Sequence, residues 1–136
     1  MVTTNGFVGL IFVSHSQRIA EGLAELVAQV AGPDVPIQAI GGGPGGTLGT
    51  DGGRVHDALR RGAGGAGAVV LMDLGSSVLA VRAALAELEE HERAALHVAD
   101  APLVEGAVAA GAIASTGSDA AAVARAAEEA RGIAKL

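Results

Sequence analysis

The apolar residues of this chain come in short unbroken runs, separated by stretches with helical periodicity. Runs at about residues 7–13, 66–72 and 94–98 are typical of parallel strands that are covered on both faces. A shorter run at 35–40 contains Pro36. Because proline removes a backbone donor from a sheet, we expect this run to form an edge strand.

The stretches between the runs place apolar residues three or four positions apart, which predicts helices. The first helix is expected to begin at Ser14 or Ser16 as N-cap and to end at Gly32. Its predicted inner face consists of Ile19, Leu23, Leu26, Val27 and Val30.

Later helices are predicted after Thr50 or Asp51, after Ser76 or Ser77, over 103–114, and, after a break at 116–119, as far as about residue 131. The helix after Ser77 would direct its aliphatic residues at 78, 81, 85 and 88 inward, and the acidic segment 87–92 that follows is expected to be solvated.

Strand and helix alternate four times, which indicates an α/β fold. We predict a doubly wound, mainly parallel sheet of about four strands in the order 2-1-3-4, with helices on both faces. No linker or internal repeat interrupts the pattern, so residues 1–136 are expected to form a single domain.

Composition removes several function classes. The chain has 136 residues, a net charge of −6, no cysteine, tyrosine or tryptophan, and a single lysine, Lys135. Disulfides and thiolate sites are excluded, and an acidic chain without aromatic platforms is a poor nucleic-acid binder. No apolar run approaches the ~20 residues of a membrane span. We therefore expect a soluble cytoplasmic protein that binds neither nucleic acid nor membrane.

The sequence also lacks the P-loop, nucleophile-elbow and zinc-helix patterns. Residues 41–46 fit Gly-x-Gly-x-x-Gly, but they follow the second strand and contain Pro44, so they are a weak dinucleotide signal. No cofactor and no metal site are predicted.

The strongest candidate for chemistry is His15, at the end of the first apolar run. Asp73 ends the third run, and the predicted strand order makes these strands neighbours. A carboxylate on one ring nitrogen of a histidine fixes the tautomer and leaves the other nitrogen free as a nucleophile. Four serines near the predicted helix starts offer donors to an anion, although each also suits ordinary capping: Ser14, Ser16, Ser76 and Ser77. This combination is what phosphoryl transfer needs.

Four motifs stand out along the chain: Val13-Ser14-His15-Ser16, Gly49-Thr50-Asp51, Met72-Asp73-Leu74-Gly75-Ser76 and Ala101-Pro102-Leu103-Val104-Glu105-Gly106. In order and spacing they resemble the phosphotransfer subunits of dihydroxyacetone kinases, which belong to the mannose-type enzyme IIA family of the phosphoenolpyruvate-dependent phosphotransferase system. The resemblance extends from about residue 7 to 131.

The resemblance implies a phosphocarrier. His15 would accept a phosphoryl group from the phosphohistidine of the carrier HPr, with Asp73 orienting it. The group would then pass to ADP on the nucleotide-binding subunit of the kinase, which works with a dihydroxyacetone-binding subunit. Thr50, Asp51 and Gly75 would line the same edge, and family members are usually dimers. Some relatives carry fused HPr-like and enzyme-I-like domains, whereas this sequence ends after the IIA-like domain, so its donor is expected to be a separate protein.

Two other interpretations stay open at this stage. The motif around His15 also resembles small class II chelatases that insert metals into tetrapyrroles, for which His97 is the second histidine available. Alternatively, the chain is a flavodoxin-like binding module in which His15 is structural.

Overall fold

The computed structural model describes residues 6–136, and four strands form its sheet: β1 (Gly9–Ser14), β2 (Ile37–Gly41), β3 (Ala68–Met72) and β4 (Leu96–Val98). All neighbouring pairs are parallel, and the order is β2-β1-β3-β4. The predicted topology is therefore confirmed, including the edge position of β2, which begins directly after Pro36. The first and third strands begin two residues later than predicted, because residues 7, 8, 66 and 67 belong to the connections.

Within residues 6–136, six helices surround the sheet: α1 (Gln17–Ala31), α2 (Gly52–Gly62), α3 (Gly75–Ala86), α4 (Glu90–Ala94), α5 (Leu103–Ala114) and α6 (Ala120–Glu129). Short 3-10 turns occupy Pro44–Gly46 and Ala130–Gly132. None of the helices within residues 6–136 is both long enough and apolar enough to cross a bilayer.

Strand β1 shows how the two faces are covered. Leu10 and Phe12 pack into one core cluster with residues of α1, α5 and α6. Ile11 and Val13 point to the opposite face and pack with residues of α2 and α3. Because successive strand residues point to opposite faces, an apolar run without alternation requires helices on both sides. The doubly wound prediction is confirmed.

The inner face of α1 differs from the predicted one. Leu23 and Val27 are buried as expected, but their companions are Ala20 and Ala31. The other three predicted residues, Ile19, Leu26 and Val30, are exposed. On this face α1 packs closely against α5, where a Cβ added at Gly111 would lie 2.7 Å from Val27 Cγ1. Two alanines therefore complete the buried face beside Leu23 and Val27, and the remaining aliphatic residues turn outward.

The starts of the helices settle the capping alternatives. Ser16 caps α1 and Asp51 caps α2, each accepting backbone N–H bonds. Neither Ser76 nor Ser77 is a cap, because α3 begins at Gly75 and its N-cap, Leu74, makes no side-chain bond. The acidic segment after α3 is solvated as predicted at Glu87, Glu89, Glu90 and His91, whereas Glu92 is partly buried. Glu92 accepts the Glu89 N–H at 2.9 Å and the Arg60 Nε at 3.2 Å, which fixes α4 against α2.

Gly41, the last residue of β2, allows the start of α1 to approach the sheet edge. A Cβ at this position would lie 2.4 Å from the Ser16 carbonyl oxygen and 2.8 Å from Gln17 Cα, both of them backbone atoms. We therefore expect Gly41→Ala to displace the backbone next to His15 and to lower the free energy of unfolding by about 1–3 kcal/mol. Urea denaturation measures this change.

Gly22 provides the matched control, because it lies within α1 and a Cβ there meets no atom within 4 Å. Gly22→Ala is expected to stabilise the protein by roughly 0.5–1 kcal/mol, since alanine costs less backbone entropy in a helix. Equal stability of Gly41→Ala and the wild type would contradict the close approach of α1 to β2.

Candidate active site

His15 and Asp73 lie at the carboxyl ends of the two central strands, one residue beyond β1 and β3. The strands hold them together, because Asp73 N–H donates to the Val13 carbonyl at 3.1 Å. The side chains then meet, with His15 Nδ1 3.0 Å from Asp73 Oδ1. The backbone N–H of His15 donates to the other carboxylate oxygen, Oδ2, at 2.9 Å. The structure thus brings together the two residues that the strand order predicted to be neighbours.

This contact determines the tautomer of His15. An ionised carboxylate can only accept hydrogen bonds, so Nδ1 has to carry the proton that it shares with Asp73. In the uncharged ring, the other nitrogen, Nε2, then carries the lone pair. The Ser76 hydroxyl contacts Nε2, and in this tautomer the hydroxyl donates to that lone pair. In its uncharged form, His15 therefore presents Nε2 as the nucleophilic nitrogen at the edge of the sheet.

Asp73 receives three further hydrogen bonds. Ser14 Oγ donates to Oδ2 at 2.7 Å, while Ser77 Oγ and the Leu74 N–H donate to Oδ1 at 2.8 and 2.6 Å. Partial burial acts to raise the pKa of Asp73, but the bonds from the His15 backbone, Ser14, the His15 ring and Ser77 outweigh it. Together they hold the pKa of this carboxyl well below its usual range. Asp73 is therefore a fixed negative charge behind the imidazole.

The loop between β2 and α2 closes one side of the site. Gly49 N–H donates to the His15 carbonyl at 2.9 Å. Thr50 Oγ1 lies 3.3 Å from Ser76 Oγ and 3.4 Å from Ser77 Oγ, and Ser77 Oγ lies 3.3 Å from His15 Nδ1. Three hydroxyls therefore cluster beside the imidazole.

Of the remaining predicted site residues, two serve as helix caps. Ser16 Oγ accepts the Ile19 N–H at 3.3 Å, and Asp51 Oδ1 accepts the Gly53 N–H at 3.0 Å. Across residues 6–136, neither side chain forms a hydrogen bond with His15. Gly75 is the first residue of α3, so that helix begins two residues after Asp73 and α1 begins two residues after His15. Two positive helix ends thus flank the site.

Arg54 is a structural residue of this region that sequence reasoning missed. Its Nη1 donates to the Gly41 carbonyl and its Nη2 to Gln17 Oε1, both at 2.9 Å. Gln17 Oε1 also accepts the Gly41 N–H at 2.9 Å. This network joins α2, β2 and the first turn of α1. No pattern in the sequence signals it, because Arg54 and Gln17 are 37 residues apart.

The other histidines lie elsewhere. His56 Nδ1 is 3.5 Å from its neighbour Asp57, and His91 Nδ1 is 3.5 Å from Glu89. His97 lies in β4, opposite Val69 of β3, two strands away from β1. Within the described part of the chain, no three His, Cys, Asp or Glu side chains lie close enough to hold a metal ion.

The site is shallow. The His15 side chain is 28% exposed and the Asp73 side chain 15%. An imidazole held by a carboxylate, open to solvent and flanked by hydroxyls and helix N-termini can receive a phosphoryl group and release it again.

Comparisons with known proteins agree with this geometry. The family model described as the PTS system fructose IIA component, EIIA-man, matches residues 9–124. A protein of Listeria innocua, named PEP-dependent dihydroxyacetone kinase 2, phosphoryl donor subunit DhaM, is 35% identical over 74% of this chain and 80% of its own length. The DhaM phosphotransferase subunit of Lactococcus lactis is 34% identical, over 81% and 85%.

The DhaM subunit of Escherichia coli K12 is 38% identical over 82% of this chain, which spans only 24% of that relative. Among solved structures, the protein of unknown function EF1359 superposes with a TM-score of 0.75 at 34% identity, covering 88% of this chain and 92% of its own. The chain therefore belongs to the EIIA-man family of the phosphotransferase system, and it is a homologue of the DhaM subunits of dihydroxyacetone kinases.

Proposed function

We propose that this protein is a histidine phosphocarrier of a dihydroxyacetone kinase. His15 Nε2 accepts a phosphoryl group from the phosphohistidine of HPr and passes it to ADP held by the nucleotide-binding kinase subunit, which then phosphorylates dihydroxyacetone on its partner subunit. The observation that carries this proposal is the contact of 3.0 Å between His15 Nδ1 and Asp73 Oδ1, because it fixes the tautomer that leaves Nε2 nucleophilic.

In the first step, the Nε2 lone pair attacks phosphorus, and the phosphorus–nitrogen bond on the donor histidine breaks as the new bond forms. The donor ring leaves as a neutral imidazole that keeps its other ring proton. The His15 ring now carries a positive charge, with its Nδ1 proton still shared with Asp73. A carboxylate 3.0 Å away stabilises that charge. In the second step, an oxygen of the ADP β-phosphate attacks, the Nε2–phosphorus bond breaks, and His15 returns to neutral imidazole.

The phosphoryl oxygens need donors next to Nε2. The hydroxyls of Ser76, Ser77 and Thr50 form the cluster beside the imidazole, and the N-terminus of α3 begins at Gly75. We propose that these groups bind the phosphoryl oxygens, the Ser76 hydroxyl turning from Nε2 to the incoming oxygen. Ser14 and Ser16 act indirectly, by holding Asp73 in place, since Ser14 Oγ donates to Asp73 and accepts the Ser16 N–H at 3.1 Å. Asp51 acts by fixing α2 next to Thr50.

The names of the relatives support the kinase assignment, because the Listeria and Lactococcus subunits match over most of their own length. We infer that the chain works as one EIIA-man domain, in the cytoplasm and as a homodimer.

Reconstitution tests this function. Enzyme I, HPr, phosphoenolpyruvate, dihydroxyacetone and the two kinase subunits are combined with and without this protein. We expect dihydroxyacetone phosphate to form only when the protein is present. Formation at the same rate without it would contradict the proposed role, and phosphorylation of the protein without product would restrict the role to carrying phosphate for another acceptor.

A further inference from the structure

Three side chains of the site form a chain of contacts that phosphoryl transfer uses only in part. Asp73 Oδ1 lies 3.0 Å from His15 Nδ1, and the Ser76 hydroxyl contacts the opposite ring nitrogen, Nε2. A carboxylate, an imidazole and a hydroxyl joined in this order are the groups with which serine hydrolases activate a nucleophile, and they recur on unrelated folds. Ser76 therefore has the surroundings of an activated serine.

Each member of this chain is in the state that such chemistry requires. The hydrogen bonds on Asp73 hold the pKa of its carboxyl well below its usual range, so Asp73 is charged at neutral pH. It fixes the proton of His15 on Nδ1, and in the uncharged ring the Nε2 lone pair can then take the proton of the Ser76 hydroxyl. Ser76 is exposed, so a reagent from solution can reach its oxygen.

Ser76 differs in this respect from the other two hydroxyls beside the imidazole. Ser77 is fully buried, and its hydroxyl donates to Asp73 Oδ1 at 2.8 Å. Thr50 Oγ1 lies 3.3 Å from Ser76 Oγ and 3.4 Å from Ser77 Oγ. Among the residues that the structure describes, only the Ser76 hydroxyl contacts Nε2.

The start of α3 supplies donors for the negative charge that forms when a hydroxyl attacks a carbonyl group. The N–H groups of Ser77 and Val78 donate to the Leu74 carbonyl, at 2.9 and 3.3 Å. Within residues 6–136, the N–H groups of Gly75 and Ser76 have no acceptor, as is usual in the first turn of a helix. Two unpaired N–H groups, one of them on the nucleophile itself, are typical donors of an oxyanion hole.

We propose that Ser76, His15 and Asp73 form a triad that gives the protein a second activity, in which Ser76 accepts the acyl group of a small ester with a good leaving group. The triad needs neither HPr nor the kinase subunits for this reaction. A small acyl group and a reactive leaving group are expected, because a shallow site offers few contacts to hold a larger substrate.

Acyl transfer to Ser76 takes two steps. In the first, Oγ attacks the carbonyl carbon, the hydroxyl proton moves to His15 Nε2, and the carbonyl oxygen becomes an oxyanion that the unpaired N–H groups stabilise. In the second, the bond between the carbon and the leaving oxygen breaks as that oxygen takes the proton from Nε2. The acyl group is then an ester of Ser76, and His15 is again uncharged.

The acylated serine should persist long enough to be detected. Water can attack the new ester by the same route, with Nε2 taking its proton and returning it to Ser76 Oγ as the carboxylic acid leaves. This step is slower than acylation by an aryl ester, because a serine oxygen is a poorer leaving group than a nitrophenolate.

The test uses p-nitrophenyl acetate, which releases coloured nitrophenolate when its acetyl group is transferred. After an acid quench, peptide mass spectrometry should locate an acetyl group on Ser76 of the wild type. We expect His15→Gln and Asp73→Asn to slow this acetylation at least about 100-fold, since the first removes the general base and the second its orientation. Ser76→Ala should lose the rapid release of nitrophenolate, and urea denaturation checks that each variant is folded.

The matched control is Ser115→Ala. Ser115 is an exposed serine at the end of α5, and its hydroxyl donates to the Ala112 carbonyl at 2.6 Å. This variant should acquire the acetyl group on Ser76 at the wild-type rate. Slowing as large as that in His15→Gln would overturn the proposal, because it would show no dependence on the triad.

Three further results would also overturn the proposal. Acetylation confined to amino groups would show that Ser76 is not activated. Unchanged release of nitrophenolate by Ser76→Ala would show that the His15 ring attacks the ester by itself. Acetylation of Ser76 at the wild-type rate in His15→Gln would show that the hydroxyl reacts without a general base.

Discussion

His15→Ala is expected to take up no phosphoryl group from phospho-HPr, a loss of at least about 10³-fold in transfer rate, since the variant lacks the nucleophile. Removing the ring costs little in packing, because the His15 side chain is partly exposed and, in the described part of the chain, its nitrogens contact Ser76, Ser77 and Asp73 alone. The measurement is the intact mass of the protein after incubation with phosphoenolpyruvate, enzyme I and HPr. The wild type should gain one phosphoryl group, which is lost on mild acid treatment.

His91→Ala is the control for this experiment. His91 is an exposed histidine in α4 whose ring lies 3.5 Å from Glu89, on a part of the surface that forms no bond with the site. The His91→Ala variant should become phosphorylated like the wild type. Full phosphorylation of His15→Ala would show that another group carries the phosphate, and the proposed function would fail.

Asp73→Asn is expected to fold but to transfer phosphate roughly 100-fold more slowly or worse. Five groups donate to the two oxygens of this carboxylate: the N–H of His15 and of Leu74, the hydroxyls of Ser14 and Ser77, and the His15 ring. An amide has only one oxygen, so its NH₂ group has to face some of these donors. If that group faces Nδ1, the ring proton moves to Nε2 and the nucleophile is blocked.

Loss of the carboxylate also affects stability. We expect Asp73→Asn to lower the free energy of unfolding by about 1–3 kcal/mol at neutral pH, because buried donors lose their acceptor. The pKa of Asp73 is lowered in the folded state, so its stabilising effect is complete above the unfolded value of about 4 and declines as the pH falls further. The difference between wild type and variant should therefore shrink in urea titrations below about pH 4.

Asp119→Asn provides the same chemical change at a helix cap. Asp119 accepts the Ala122 N–H at 2.9 Å at the start of α6, and asparagine caps helices as well as aspartate. Transfer rate and stability should stay close to those of the wild type. Wild-type transfer rates in Asp73→Asn would mean that Asp73 only fixes the turn before α3.

The strand order and the meeting of His15 with Asp73 could be predicted from the sequence, because both follow from local patterns. An apolar run without alternation is typical of a parallel strand between two helical layers, and neighbouring parallel strands bring the residues at their carboxyl ends to one edge of the sheet. The sheet therefore determines which residues meet at the site.

Side-chain roles that depend on packing could not be predicted. Periodicity alone could not show which stripe of α1 faces inward, because both stripes contain leucine and valine, and the inward one is completed by alanines where α5 packs closely. Serine is a residue type that often caps helices, yet the Ser77 hydroxyl donates to Asp73, since α3 begins two residues earlier. The network of Arg54, Gln17 and Gly41 joins three elements, and no single stretch of sequence contains it.

The central claim is that Nε2 of His15 carries the phosphoryl group while Nδ1 stays bonded to Asp73. The most direct measurement is nuclear magnetic resonance of the protein labelled with ¹⁵N in its histidines and phosphorylated by phospho-HPr. The predicted result is a coupling between phosphorus and Nε2 of His15, with a protonated Nδ1. Coupling to Nδ1, to another histidine, or an acid-stable phosphate on a hydroxyl would contradict it.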